Sequence, residues 1–425
     1  MKFNYGRIFL LGFGSFGFSA IWVIYNSFVP LFLQDRFLLA PAMIGFFMTL
    51  DNIAALFIQP PVGAWSDRVR TRIGRRMPFI IAGIPVAATA FILLPLAPVL
   101  PLYVACTVSL ILSMAVWRTP VVALLADITP SPYRSQANGI SNFMGGIGGI
   151  IAAVGGGALF AVHRGYPFWM GAGLVMLAGF MLFSFIREPK EYESTGEERP
   201  ELLANLRLIL RDPDRSALRL FLAHFFWFIA LNAVEAFFTL YAKNHLGYPG
   251  EHGSRILGQF LLTLVLFALP AGAIGGKIGR RRSIMLGLSL LMATLLTIYF
   301  LDRETLTTVI TRLPVLGTVP VVGGLLMVCG CSWMLVNVNS LPMVVDLTDD
   351  LHAGTYTGIY YLFITAAAIA GPNINGWIIQ LTGNDYSSIY IASPLFIALA
   401  FVMMAGVRRG EARSPRAVDE DRTAR

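Results

Sequence analysis

Charged side chains fall in clusters along this chain, with long apolar stretches between them. Runs free of Asp, Glu, Lys and Arg cover residues 8–34, 37–50, 77–117, 139–163, 165–186, 256–276, 283–301, 313–345, 353–384 and 386–407. Most exceed the roughly 18–20 apolar residues that cross a bilayer core as a helix, and Pro95–Pro101 divides one of the longest in two. The pattern predicts twelve membrane helices at 8–33, 41–64, 77–96, 101–126, 138–161, 166–187, 216–242, 255–276, 283–301, 319–345, 353–381 and 388–407. Lys2 and Arg7 precede the first as in a signal sequence. Its length and the lack of a small-residue cleavage site predict a retained helix instead.

Composition agrees: 56% of residues are hydrophobic and 13% charged, far from a soluble globular balance. If the N-terminus is cytoplasmic, 25 of the 32 Lys and Arg residues fall on that side. Six fall outside and Arg118 lies within a span, so the positive-inside rule places both termini in the cytoplasm. The pI of 9.5 then reflects topology and anionic inner-leaflet lipid rather than a nucleic-acid partner. Cys106, Cys329 and Cys331 all sit in spans and support neither a disulfide framework nor a metal site. The expected location is the inner membrane.

The one long polar stretch inside the chain, 188–215, has six predicted helices on either side. It reads as a cytoplasmic linker between two bundles, 1–187 and 216–409, with 410–425 as a cytoplasmic tail. Leu202, Leu203, Leu206, Ile209 and Leu210 share one helical face of the linker, which fits a surface helix or packing on the bundles. Two matches relate the halves. Asp127-Ile128-Thr129 precedes Gly139-Ile140 as Asp346-Leu347-Thr348 precedes Gly358-Ile359, and Gly63…Gly74-Arg75-Arg76 echoes Gly272…Gly279-Arg280-Arg281. Such agreement in position is what parallel-repeat carriers show.

The loop 63–79 reads GAWSDRVRTRIGRRMPF. This resembles the loop between helices two and three of the major facilitator superfamily. The longer first copy, with GRRxPF after it, and the stretch from Pro120 to Asp127 resemble the glycoside–pentoside–hexuronide and sucrose-transporter branch. Tyr133-Arg134-Ser135-Gln136-Ala137-Asn138-Gly139 is similar to that branch's following loop. The resemblance implies an all-α polytopic fold of two six-helix bundles and a sugar carrier. It also implies a cytoplasmic latch built from Gly63, Asp67, Arg68, Gly74, Arg75, Arg76, Asp127, Arg134 and Asp346. Where sodium-coupled relatives carry acids on helices two and four, this chain has Gln59 and Arg118, which argues against sodium coupling of that kind.

Only Asp51, Arg118, His224 and Glu235 are ionisable deep in the spans. Each costs about 2.5–3.5 kcal/mol to insert, so each should face a cavity or a partner. Asp51 and Arg118 both fall near mid-depth, where an ion pair can form. Asp51 or Glu235 is the candidate proton-coupling acid, against a structural pairing, and His224 is expected to be a hydrogen-bonded packing residue. Sugar recognition needs many polar groups and an aromatic platform in one cavity. Candidates are Trp22, Tyr25, Asn26 and Asn52 in the first half, and Trp227, Asn232, Gln259, Trp333, Asn337, Asn339, Tyr360 and Tyr361 in the second. Packing and interhelical hydrogen bonding compete for each.

The glycines at 145–157 lie in an apolar span with no following Lys-Ser/Thr, which fits close helix packing rather than a phosphate loop. They also lack the Gly-Pro pair of the antiporter signature, and Gly371-Pro372 reads as a kink or hinge. No nucleophile–base pair, metal set or cofactor loop is visible, so an enzyme is not expected and no cofactor is implied. The sequence therefore points to a monomeric sugar or glycoside carrier working by alternating access, with a proton as co-substrate. The rivals are a uniporter or exporter of another small solute, and a membrane sensor, for which the 16 residues after Arg409 make a short signalling region.

Overall fold

The computed structural model describes residues 5–129, 134–188, 214–314, 316–348 and 353–410, with the side chains of residues 126, 134–136 and 353–355 left aside. Most of the 188–215 linker with its leucine face, and the tail beyond 410, lie outside the described residues. Among the described residues twelve helices are long and apolar enough to span a membrane: Tyr5–Asp35, Pro41–Arg68, Met77–Leu96, Leu100–Leu125, Ala137–Val162, Tyr166–Phe185, Ser216–Asn244, Gly250–Ile278, Arg280–Phe300, Val321–Val345, Tyr356–Leu381 and Tyr386–Ala405. They match the twelve expected spans within a few residues. Helices suit this setting because each satisfies its own backbone polar groups, which lipid cannot do.

The second span is broken. A first piece, Pro41–Phe47, and a second, Leu50–Arg68, are separated by the two turn residues Met48 and Thr49. The Thr49 hydroxyl donates to the Phe46 carbonyl at 2.7 Å, and Asn373 of the eleventh span donates to that hydroxyl at 3.2 Å. Asp51 thereby enters the first turn of the second piece, where the positive end of the helix dipole favours an acid.

The halves pack alike. In the first, span one lies on five and six, three on four and six, and two on four; in the second, seven lies on eleven and twelve, nine on ten and twelve, and eight on ten. The seam between halves pairs two with eleven, five with eight and one with seven, which is the same two-fold relation. The repeat inferred from the aspartates and arginines is thus a repeat of packing.

Between spans nine and ten, the short helix Arg303–Thr307 leads into an antiparallel hairpin, β1 (Val309–Leu313) and β2 (Gly317–Pro320). Hydropathy left residues 303–318 between spans and counted Val319 and Pro320 into the tenth helix; it did not foretell strands.

Cross-half contacts gather at the end away from the termini, called here the far end. Lys243 donates to Asp35, Asn244 and Tyr386 both meet Gln34, and a Cβ on Gly45 would collide with the Pro372 carbonyl. The far end is sealed.

Candidate functional site

A cavity of about 250 Å³ lies between the halves, beneath the far-end seal. Spans one, two and four of the first half line it, with seven and eleven of the second. Its polar walls are Trp22, Tyr25, Asn26, Asp51, Asn52, Gln59, Arg118, Asn232 and Glu235. Every deep ionisable group except His224 therefore opens onto one space.

Asp51 and Arg118 share the cavity without a direct ion pair. The guanidinium lies over the Phe18 ring, 3.9 Å from its centroid, a cation–π arrangement that supports a charge out of water. Asp51 accepts from the neighbouring Asn52 amide at 3.2 Å and interacts with Arg118 only through longer-range attraction. The expected contact is thus opened into a gap. Phe18, Trp22 and Tyr25 follow one face of the first span at helical spacing, as near-parallel rings 6.0 and 5.8 Å apart. The Tyr25 hydroxyl is buried with no hydrogen-bond partner. Across the seam, Asn26 donates to Glu235 Oε1 at 3.0 Å, and Asn232 donates back to the Phe228 carbonyl at 2.7 Å, leaving its own carbonyl oxygen free to accept.

The other candidates lie elsewhere. Trp227 is fully buried against the His224 ring, and His224 Nδ1 donates to the Leu220 carbonyl at 2.6 Å. Tyr360 is buried beside His224, 3.3 Å from the Ser340 hydroxyl, while Tyr361 is 55% exposed. Gln259 donates to Thr318 of the hairpin at 2.9 Å. Asn339 is buried and ties spans eight, nine and ten through Ala271, Ser283 and Leu335. Asn337 is half-buried on the tenth span, away from the cavity walls, and Trp333 packs edge-on against Phe228. For these residues the packing and interhelical roles fit the geometry. Phe18, Gln59 and Phe228 also line the cavity and were not among the candidates. The four-residue spacing of Phe18 and Trp22 was the available signal.

At the terminal end a second cluster forms. Arg76, 5% exposed, meets Asp67 at 2.5 Å and Asp127 at 3.1 Å and donates to Ser66. Arg75 meets Asp127 at 2.8 Å. Glu188 accepts from the backbone N–H of Arg76 at 2.9 Å and lies 4.0 Å from Arg75. Gly74 adopts φ +117°, where a side chain would strike Glu188; Gly63 lies against Thr119, and Arg68 is exposed. In the second half Arg280 pairs with Asp346 and donates to the Pro342 carbonyl at 3.0 Å, while Arg281 donates to the Ala405 carbonyl at 2.6 Å. These contacts join elements of a single half. Arg134 opens the fifth helix, its side chain outside the described set. Among the described residues no group of three or more His, Cys, Asp or Glu could hold a metal, and the three cysteines are free.

Comparison with known proteins gives this geometry a context. The family profile described as Major Facilitator Superfamily matches residues 11–301 and 253–424. The chain is 25% identical over 265 residues to multidrug resistance protein 2 of Bacillus subtilis (strain 168), covering 61% of this chain and 64% of that protein. It is 24% identical over 294 residues to the lactose permease of Citrobacter freundii, covering 64% and 68%. It is 28% identical over 151 residues to the sucrose transport protein SUT4 of Oryza sativa subsp. indica, covering 30% and 25%. The matches thus span under two thirds of the first and a quarter of the third. Among solved structures, a point mutant of the nucleoside transporter NupG aligns with TM-score 0.76 at 15% identity, covering 95% of this chain and all of that one. A bacterial homologue of human Spinster, inward-facing and occupied, aligns with TM-score 0.72 at 13% identity, covering 94% and 95%. The chain belongs to the Major Facilitator Superfamily and is a transporter that crosses the membrane many times, not an enzyme.

Proposed function

We propose that the chain carries a sugar or glycoside across the inner membrane by alternating access, together with a proton. The observation that carries this reading is the shared cavity, in which two carboxylates and a guanidinium are drawn from both halves beside an aromatic ladder. Hydroxyl-rich solutes are recognised by convergent donors and acceptors with an apolar platform. Here Arg118, Gln59, Asn232, Trp22 and Tyr25 supply the first and Phe18 the second. The acids Asp51 and Glu235 are the groups able to take and release a proton at mid-depth.

With both termini cytoplasmic, as the basic residues suggest, the sealed far end faces outward and this conformation faces inward. Rocking the halves about the cavity would open the other side. The terminal-end clusters hold each half rigid during that motion. Both halves belong to one chain, so a monomer suffices. The sugar-carrying relatives support this reading. Export of an unrelated solute is the second reading, favoured by the resemblance to multidrug resistance protein 2, although three charged residues in the cavity suit a polar solute better.

The test is uptake of labelled sucrose and maltose into proteoliposomes with and without an acid-outside gradient. Gradient-stimulated uptake is expected. Gradient-independent equilibration would remove the proton, and no uptake of any sugar in a wider panel, with efflux of an organic cation dye, would favour the exporter.

A further inference from the structure

We propose that Asn26 is a positioning residue that ties protonation of Glu235 to opening and closing of the far end, an inference that rests on Glu235 being a proton-carrying acid. Asn26 belongs to the first span and Glu235 to the seventh, so their 3.0 Å hydrogen bond crosses the seam between halves. Asn26 is 8% exposed, and the bond is a polar tie between the halves inside the cavity itself. Asp51 differs in this respect. Its amide partner, Asn52, is the next residue on the same helix and travels with it. Rocking the halves changes the bonding of Glu235 and leaves the Asn52 bond of Asp51 as it is.

A proton can drive a conformational change only through a group whose interactions differ between the two states. Glu235 meets that requirement through Asn26. An amide N–H donated to an ionised carboxylate makes a bond about twice as strong as one to a neutral acceptor. The sealed far end is therefore favoured with Glu235 ionised, and a proton arriving on Glu235 weakens a tie across the seam. By linkage the reverse also holds: sealing the far end helps expel the proton. If the terminal end is cytoplasmic, the carrier then loads its proton from outside and releases it inside, the sense that uptake requires.

The other titratable and charged groups around Glu235 are Tyr25, Asp51 and Arg118 across the cavity, and Cys329 of the tenth span behind it. Spans eight, nine, eleven and twelve present apolar side chains there. Asp51 repels an ionised Glu235, which makes the Asn26 donor the contact that holds the ionised form in the sealed state.

The experiment places spin labels at Val162 and Ile310, both exposed and on opposite halves at the far end, in the full-length protein with its three cysteines replaced by alanine. The label distance is followed from about pH 8 to about pH 5, a range in which carboxyl groups inside proteins can titrate. The parent protein is expected to shift toward the separated distance as pH falls. Asn26→Ala is expected to favour the separated distance at high pH by roughly tenfold, the value of a charge-assisted hydrogen bond, and to lose most of the pH response. Asn26→Gln, which keeps the donor, should restore part of it. Glu235→Gln should be insensitive to pH with or without Asn26. A full pH response in Asn26→Ala overturns the inference and leaves Glu235 as the proton site. A full pH response in Glu235→Gln overturns the underlying reading of Glu235 as well.

Discussion

Lys243 of the seventh span donates to Asp35 of the first, and Arg164, from the first half, reaches the same carboxylate at 3.4 Å. One acid thus serves a cation from each half. When the far end opens, Lys243 must leave while Arg164 stays, so Asp35 is never stranded without a partner. Asp35→Asn should weaken the seal by about 1 kcal/mol, the upper range for a partly exposed pair. Ala42, buried where spans two and eleven meet, gives the readout. A cysteine there should react faster with a membrane-impermeant thiol reagent in the Asp35→Asn background. The exchange Asp35→Lys with Lys243→Asp should slow it again. Equal rates in all three would remove the pair from the seal.

Gly45 lets spans two and eleven touch. A Cβ there would overlap the backbone carbonyl of Pro372, which cannot swing aside as a side chain can. Gly45→Ala should force the spans apart at a cost of about 1–3 kcal/mol, as overpacking generally does. The same Ala42 cysteine should then become more accessible. Gly173→Ala, with nothing within 4 Å of its Cβ, is the control and should change neither labelling nor thermal stability. An unaltered far end in Gly45→Ala would mean the seam is more compliant than its backbone contact implies.

The fold was legible because the physics that selects it is local. Uninterrupted apolar runs must become helices in lipid, and the pairing of Asp127 with Asp346 and of Gly74 with Gly279 exposed the repeat. The site was legible in part. Asp51, Arg118 and Glu235 stood out because charge is scarce in a span, and all three open on one cavity. The asparagines did not sort themselves. Asn26 and Asn339 have the same chemistry, yet one crosses the seam and the other ties three helices of one half. That difference depends on helix rotation, which a single sequence with weak amphipathicity does not encode. Glu188 was also missed, because its role requires its backbone neighbours at Arg76 and Met77, 111 or more residues away in sequence.

The two terminal-end clusters should differ in strength. Arg76 is nearly buried between Asp67 and Asp127, whereas in the Arg280–Asp346 pair the side chains are 22% and 34% exposed. Position 276, where the repeat would need a second acid, is Gly276. Arg76→Ala removes a nearly buried cation from Asp67, Asp127 and Ser66, although Arg75 still holds Asp127. It should cost about 1.5–3 kcal/mol, the range for hydrogen bonds to charged groups. Arg280→Ala should cost about 1 kcal/mol or less. Thermal unfolding in detergent compares them directly, and similar losses would show that the second cluster is as tightly held as the first.

Arg118 projects its guanidinium into the cavity from a seat on the Phe18 ring. A lysine would keep the charge but lose the flat face that stacks and the forked donors that grip two oxygens at once. Arg118→Lys should therefore weaken solute binding by roughly tenfold or more, about 1.4 kcal/mol, and Arg118→Ala should weaken it further. Trp22 lines the same cavity, so its fluorescence change on adding solute can measure both. Unimpaired binding in the lysine variant would mean that a point charge is all the site needs.

Outside the membrane, Asp214 fixes where the seventh span begins. Its carboxylate accepts from the Ser216 hydroxyl at 2.7 Å and the Ser216 backbone N–H at 3.0 Å, and it pairs with Arg409 at 2.7 Å. The backbone N–H of Arg408 donates to the same Ser216 hydroxyl at 3.1 Å, so the start of span seven is stapled to the end of span twelve. The two bonds from Ser216, helped by the arginines, hold the Asp214 carboxyl below its ordinary value of 3.8. A carboxyl depressed on folding adds stability that is fully present above the unfolded value and is lost as pH falls through the folded one. Replacing Asp214 by Asn keeps an acceptor but removes the charge. The parent should therefore unfold at a higher temperature than Asp214→Asn near neutral pH, and the gap should close as pH drops below about 4. A gap that stays constant down to about pH 3 would mean that the staple works through geometry alone and draws nothing from the charge on Asp214.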